Sequence, residues 1–330
     1  MNVLTPTYRR PLSPAGDRLD PDLVRFAPGP SVPRSECQIM TIGGPKDAQL
    51  GSTYEEVCAI PAPPPRFRAS TDKRRRGEPI QTYQPLAYAT YIDACRDQFS
   101  TIFGESPTSE EFMLARRGNQ MFGVMTWRSA LLEELGGQYA LALRGSLDSS
   151  FIYALGGGGR VTVCANGIFP RGAQVGHKCT MGMLDPDKEP NADGTGGNLA
   201  YRIRTEAEAA ETNTVMLREN LMKLRDMECS DDRFSAYLGL LVWRYKFISP
   251  TLGNRAQRYW DACRAGKLHD EHNDGTMWSA YNAVTGGISG KASPFNAFKA
   301  HGGALHVARG IVDNGNAESM VPKMPDLRVE

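Results

Sequence analysis

Apolar positions recur at helical spacing in some stretches of the chain and alternate with polar ones in others. In LAYATYIDACRDQFSTIFG the residues Tyr88, Ile92, Cys95, Phe99 and Phe103 fall three or four apart, which predicts a helix ended by Gly104. EEFMLARRGNQMFGVMTW alternates loosely and predicts a strand pair or a bent strand, with Gly118 and Asn119 supplying turn chemistry. QYALALRGS and SSFIYAL read as strands, and RVTVCANGIF is the strongest β run. The four glycines at 156–159 are predicted to be a flexible hairpin connection between two strands. Together these runs predict an antiparallel sheet over roughly 112 to 185.

Beyond DPDKEPNADGTGG (185–197), which has no apolar content and reads as a surface loop, the pattern turns helical. A helix is predicted from Thr205, with Glu206 and Glu208 in a first turn that suits the positive helix terminus and Leu217, Leu221, Leu224 and Met227 on one stripe. DRFSAYLGLLVWRYKF is apolar nearly all round and predicts a second, buried helix. NRAQRYWDACRAG and GTMWSAYNAVTGGISG predict a third and a fourth, with Trp278 and Tyr281 on a buried stripe. No internal repeat occurs, and the tail from Asp313 is polar.

The first 86 residues differ. Fourteen of the 22 prolines lie there, and proline fixes φ and removes a donor, which argues against regular helix. The fold class expected is therefore α+β: an extended Pro-rich and basic arm (1–84), a core with an antiparallel sheet and a preceding helix (85–200), and a helical region packed on it (201–330). Ordered structure is expected to begin near Leu86.

Composition narrows the picture. With 38 basic and 37 acidic residues the net charge is +1, so no global field draws the chain to nucleic acid or an anionic membrane; any electrostatic function is local. The local exception is RFRASTDKRRR (66–76), where Arg66, Arg68, Lys73, Arg74, Arg75 and Arg76 face one acid, Asp72. Residues 1–30 hold no apolar signal region and no apolar run is long enough to span a bilayer, which predicts a cytoplasmic protein. Seven dispersed cysteines with no C-x-x-C predict reduced, mostly buried thiols rather than a disulfide framework or a zinc knuckle.

Between 112 and 285 the ordered set LRGSLDSSF, VCANG, HKCT and WSAYNAVT resembles the phage/plasmid-like protein family built around domain of unknown function 932. Ser146, Asp148 and Ser150 match its first motif, Cys164, Asn166 and Gly167 its second, and Trp278, Tyr281, Asn282 and Thr285 its last. Leu147 stands where the family has a histidine, and His177-Lys178-Cys179-Thr180 approximates its R-H-T. The resemblance implies a phage or mobile-element protein without an assigned reaction.

Three functions fit these residues. The first is nucleic-acid binding in replication or recombination, as a single-strand binder or annealer. Its phosphate contacts would be Arg66, Arg68, Lys73, Arg74, Arg75, Arg76, Arg116, Arg117 and Arg144, with Phe67 interleaved as a stacking surface. The second is a non-catalytic phage assembly protein whose arm embraces neighbouring subunits in a homo-oligomer, in a virion or in the host cytoplasm. The third is an enzyme using Ser146, Asp148, Asn166 and His177 gathered at one sheet end, or Cys164 as nucleophile. No cofactor or metal is expected: His269-Asp270-Glu271-His272 reads as a charged loop, and neither GGGGR nor Gly194–Gly197 carries the lysine of a phosphate-binding loop.

Overall fold

The computed structural model describes residues 26–32, 49–74, 76–83, 85–133, 137–150, 152–161, 167–168, 174–177, 199–267, 274–288 and 294–315. In chain order these form β1 (Gln49–Ser52), α1 (Tyr54–Cys58), β2 (Arg66–Ala69), β3 (Pro79–Tyr83), α2 (Tyr88–Phe103), β4 (Ser109–Ala115), β5 (Gln120–Trp127), α3 (Ala130–Glu133), β6 (Gly137–Ser146), β7 (Tyr153–Val161), β8 (Gly167–Ile168) and β9 (Gln174–His177). Then follow α4 (Leu199–Asp226), α5 (Asp231–Gly239), a π-helical turn at Leu240–Arg244, α6 (Pro250–Arg264), α7 (Met277–Ile288) and α8 (Pro294–Asn314). The fold class is α+β. The sheet runs β1-β4-β5-β6-β7, with β8 and β9 both pairing the far edge of β7. Every pair within it is antiparallel.

Alternation along the strands sends one set of side chains to the helix side: Phe112 and Leu114, Met121, Met125 and Trp127, Tyr139, Leu141 and Leu143, then Tyr153 and Leu155. They bury against Tyr91, Ile92, Cys95 and Phe99 of α2 and against Ile203, Ala207 and Ala210 of α4. Helix α2 follows its predicted periodicity and ends where Gly104 takes φ +72, a left-handed cap that costs a residue without Cβ little. The aromatic packing is dense. Phe99 lies 5.8 Å from Trp127, and Phe103 lies 4.9 Å from Tyr139. The Trp127 indole donates to Ser100 Oγ at 3.2 Å, which satisfies its one polar atom.

A second cluster holds the C-terminal half together: Leu217, Leu221 and Leu224 of α4 meet Phe234, Tyr237, Trp260, Trp278, Tyr281 and the Ala304–Ile311 stretch of α8. Trp278 and Tyr281 are core residues, 2% and 0% exposed. Helix α4 serves both clusters with its two halves; at 28 residues it is about 42 Å long.

Four expectations need correction. The glycines 156–159 are not a hairpin connection but the middle of β7, paired throughout with β6. Packing explains them: a Cβ on Gly157 would collide with the Tyr139 hydroxyl, and one on Gly159 would sit 2.9 Å from Leu217 Cδ2. The glycines thus let a tyrosine and α4 come down onto the strand. Helix α4 starts at Leu199 rather than Thr205, so Glu206 lies two turns inside it and is buried. The proline-rich region carries regular structure: β1 joins the sheet, and Thr53 and Glu56 form a reciprocal cap that starts the short helix α1. Finally, DRFSAYLGLLVWRYKF breaks into α5 and the π-helical turn, and Trp243 is 71% exposed.

One more piece of the arm is fastened to the body. Glu110 N–H donates to Pro30 O at 3.2 Å, and Val32 N–H donates to Glu110 O at 3.3 Å. Beneath them Arg96 holds Glu110 with two hydrogen bonds, 2.7 and 3.0 Å, and reaches Asp93 at 2.6 Å while lying 4.4 Å above the Tyr54 ring. The described stretch at 26–32 therefore lies against β4. No described helix is long and apolar enough to cross a membrane.

Candidate nucleic-acid interface

Two turns and the base of a hairpin meet at one end of the sheet. The β4–β5 turn holds Arg116, Arg117 and Gly118 in succession in the left-handed region, with φ 49, 55 and 83. Two non-glycine residues there cost about 1–2 kcal/mol each. The turn is pinned from three sides: Tyr88 OH donates to Gly118 O at 3.1 Å, Ile60 packs over Gly118, and Asn119 caps Arg116 O through both its backbone and side-chain nitrogens. Both arginines are exposed. Strain of this kind persists where surrounding structure over-determines it.

The β6–β7 turn lies alongside. Leu147 N–H donates to Asn119 O at 2.8 Å, and Gln120 Nε2 donates to Ser150 Oγ at 2.7 Å. Asp148 Oδ1 accepts from Ser150 N–H at 2.9 Å, Ser149 takes φ 61, and Arg116 Nη1 stands 3.8 Å from Asp148 Oδ2. Partial burial pushes the Asp148 carboxyl up, but the hydrogen bonds of Ser150, the Arg116 charge and a hydrogen bond from Ser146 outweigh it and hold it below the usual carboxylate range. It is an ionised turn-capping group.

The third element is the β2–β3 hairpin, whose strands pair only with each other among the described strands. Its base is tied to the sheet end by Tyr83, whose hydroxyl donates to Ser146 O at 2.8 Å, and the Arg66 guanidinium lies 5.4 Å from the Tyr83 ring centroid. Its tip is ordered by Ser70 N–H to Glu78 O at 2.8 Å, Arg74 N–H to Asp72 Oδ1 at 2.9 Å, and Gly77 at φ 86. Arg66, Arg68, Lys73, Arg74 and Arg76 are all exposed, and Phe67 between the first two is 59% exposed. The basic run is thus an ordered ribbon rising from the same end that carries Arg116 and Arg117.

Other sequence candidates fall elsewhere. Arg144 lies inside β6 on the face away from Leu141 and Leu143; it is half-buried, and burial lowers its pKa. His177 ends β9 in register with Tyr153, so its backbone reaches this sheet end. Arg75, Cys164, Asn166, Gly194–Gly197 and residues 269–272 lie outside the described residues. Among the described cysteines, Cys58, Cys95, Cys229 and Cys263 are all free, and burial pushes each thiol up, away from a nucleophilic thiolate. Among the described residues no group of three or more His, Cys, Asp or Glu side chains could hold a metal ion.

Sequence reasoning missed two groups. Glu206 is 7% exposed, with its pKa pushed up to about 7 by burial against a single opposing contact, the Gly157 backbone N–H. Tyr83 was unremarkable in sequence, because its role depends on a carbonyl 63 residues away. For Glu206 the helical phase was a usable signal, since it shares a stripe with Ile203 and Ala210, both buried.

The fold and this basic sheet end define the protein only as a class: an α+β chain with a positively charged hairpin. No family model, curated protein or solved structure matches it.

Proposed function

We propose that the protein binds nucleic acid in the replication or recombination of a phage or mobile element, as a single-strand binder or annealer in the host cytoplasm. The observation that carries this reading is the ordered β2–β3 ribbon, with Arg66, Arg68, Lys73, Arg74 and Arg76 exposed around an exposed Phe67 and anchored by Tyr83 beside the strained Arg116-Arg117 turn. Exposed cations on a pre-ordered ribbon lose little entropy when they meet phosphates, and an aromatic among them offers a face to an unstacked base. The net charge of +1 does not oppose this, because phosphate contacts act locally through screened fields. The ordered motifs that resemble the phage/plasmid-like family support the mobile-element setting.

The test is fluorescence anisotropy of a labelled single-stranded oligonucleotide across a salt series. With about five phosphate contacts on a single strand, log affinity should fall against log salt with a slope of roughly −3 to −4. Replacing Lys73, Arg74 and Arg76 by alanine should flatten that slope by about 2 and weaken binding. Absence of binding at low salt would overturn the reading.

One observation favours a second reading, an assembly protein whose hairpin completes a neighbouring subunit. The two strands pair with no other described strand, and an isolated two-stranded ribbon is marginal in water. Sedimentation of the same samples separates the two: a defined oligomer indifferent to oligonucleotide, and lost on deleting 66–83, would establish assembly instead.

A further inference from the structure

The most exposed large apolar side chain among the described residues lies in the helical half. Trp243 is 71% exposed, whereas the other three tryptophans, Trp127, Trp260 and Trp278, are 0–2% exposed. Its backbone is unusual twice over. It sits in the π-helical turn Leu240–Arg244, where Tyr245 N–H donates to Leu240 O at 2.9 Å, and that turn is followed by Lys246 in the left-handed region at φ 52. Single π-helical turns and strained non-glycine residues concentrate at functional positions.

The turn is rigidly held. Phe247 N–H donates to Leu241 O at 2.9 Å, its buried ring stacks 5.8 Å from Tyr245, and it presses on Gly303 of α8, where a Cβ would overlap it. Val242 packs on Gly253 of α6 from the other side. The indole is therefore displayed from a fixed base, and its exposure is not the slack of a loop.

Charge says what would cover it. From Arg233 to Trp260 the chain holds five cations, Arg233, Arg244, Lys246, Arg255 and Arg258, and no acid. Arg244, Lys246 and Arg258 are exposed. Helix α6 begins four residues after Lys246, is capped by Ser249, and has no acid in its first turn, so its positive end adds to the same field. An apolar protein partner would be poorly matched to the exposed Arg244 and Lys246 that follow the indole in the chain. A base stacked on the indole with its phosphates toward the cations is well matched.

We infer that Trp243 is a second nucleic-acid contact, a platform on which an unpaired base of a single strand stacks while Arg244 and Lys246 hold the adjoining phosphates. The inference rests on the nucleic-acid reading above and adds a site remote in sequence from the hairpin. With the other three tryptophans buried, Trp243 is the one set to respond when a base covers it.

The experiment titrates an unlabelled oligothymidylate into the full chain, following intrinsic tryptophan emission and, in parallel, anisotropy of a labelled strand. Wild type should quench with the same midpoint by both signals. Trp243→Ala should lose most of the quench and bind roughly tenfold more weakly, and Trp243→Phe should keep most of the affinity. An abasic strand of equal length should bind without quenching. The Lys73, Arg74 and Arg76 alanine variant should bind more weakly yet quench fully at saturation. Binding by Trp243→Ala equal to wild type, or equal quenching by the abasic strand, would overturn the platform while leaving the hairpin reading intact. No binding by wild type at low salt would remove both. An emission shift that follows protein concentration without oligonucleotide would assign the tryptophan to a contact between copies and overturn the platform as well.

Discussion

At the scale of single residues, the least ordinary group is Glu206. Folding buries its carboxyl, which keeps its proton up to about pH 7, whereas an ordinary glutamate loses it near 4.5. Below that window both folded and unfolded chains hold the proton, and above it both have lost it. Within it the folded state binds more protons, so stability falls as pH rises from about 4.5 to 7 and levels off beyond. Glu206→Gln should therefore match wild type at pH 4.5 and exceed it by on the order of 2–3 kcal/mol at pH 8, read by urea denaturation at the two pH values. Equal stability of the two proteins at pH 8 would mean the carboxyl is well solvated. Beside it, Gly157→Ala should cost about 1–3 kcal/mol, because Tyr139 is locked among Phe99, Phe103 and Trp127 and cannot yield. A double variant with Tyr139→Phe, which removes the colliding hydroxyl, should recover much of that loss in the same measurement.

At the scale of elements, the N-terminal segments are held to the body through α2 and β4. Arg96 and Glu110 are 3% and 1% exposed and doubly hydrogen-bonded, and the Glu110 backbone pairs with Pro30 and Val32. Removing one partner of a buried pair strands the other charge, so Glu110→Gln should cost about 3–5 kcal/mol. Hydrogen exchange should show faster opening at the amides of Glu110 and Val32. Unchanged exchange there would show that the segment is held by something other than this pair. The hairpin behaves differently, because its cations are exposed and make no core. Their removal should leave the melting temperature within a degree or two while changing the salt dependence of binding.

At the scale of the whole molecule, α4 is the shared beam. Its first half buries Ile203, Ala207 and Ala210 against the sheet, and its second half buries Leu217, Leu221 and Leu224 among α5 to α8. The two clusters should therefore unfold together, giving coincident urea transitions by near-ultraviolet and far-ultraviolet circular dichroism. Thr212→Pro, at an exposed position between the halves, removes a hydrogen bond and should cost about 3 kcal/mol or more. It should also pull the two transitions apart. Transitions already separate in wild type would mean that α4 does not couple the halves.

The sequence alone determined the features set by neighbours along the chain. Helix α2 and its glycine stop, the β4–β5 strand pair, the helical C-terminal half and the basic run at 66–76 all follow from local spacing and turn chemistry, which act within a few residues. Tertiary structure decided whatever depends on approach between distant segments. The glycines of β7 read as a loop until α4 and Tyr139 are seen to need the space. Glu206 reads as a helix-end charge until the sheet buries it. The hairpin, the Arg116-Arg117 turn and Asp148 become one surface only because Tyr83, Asn119 and Leu147 join them across gaps of 28 to 63 residues. Local propensity has no term for such gaps; the burial and hydrogen bonds that close them exist only once the chain has folded.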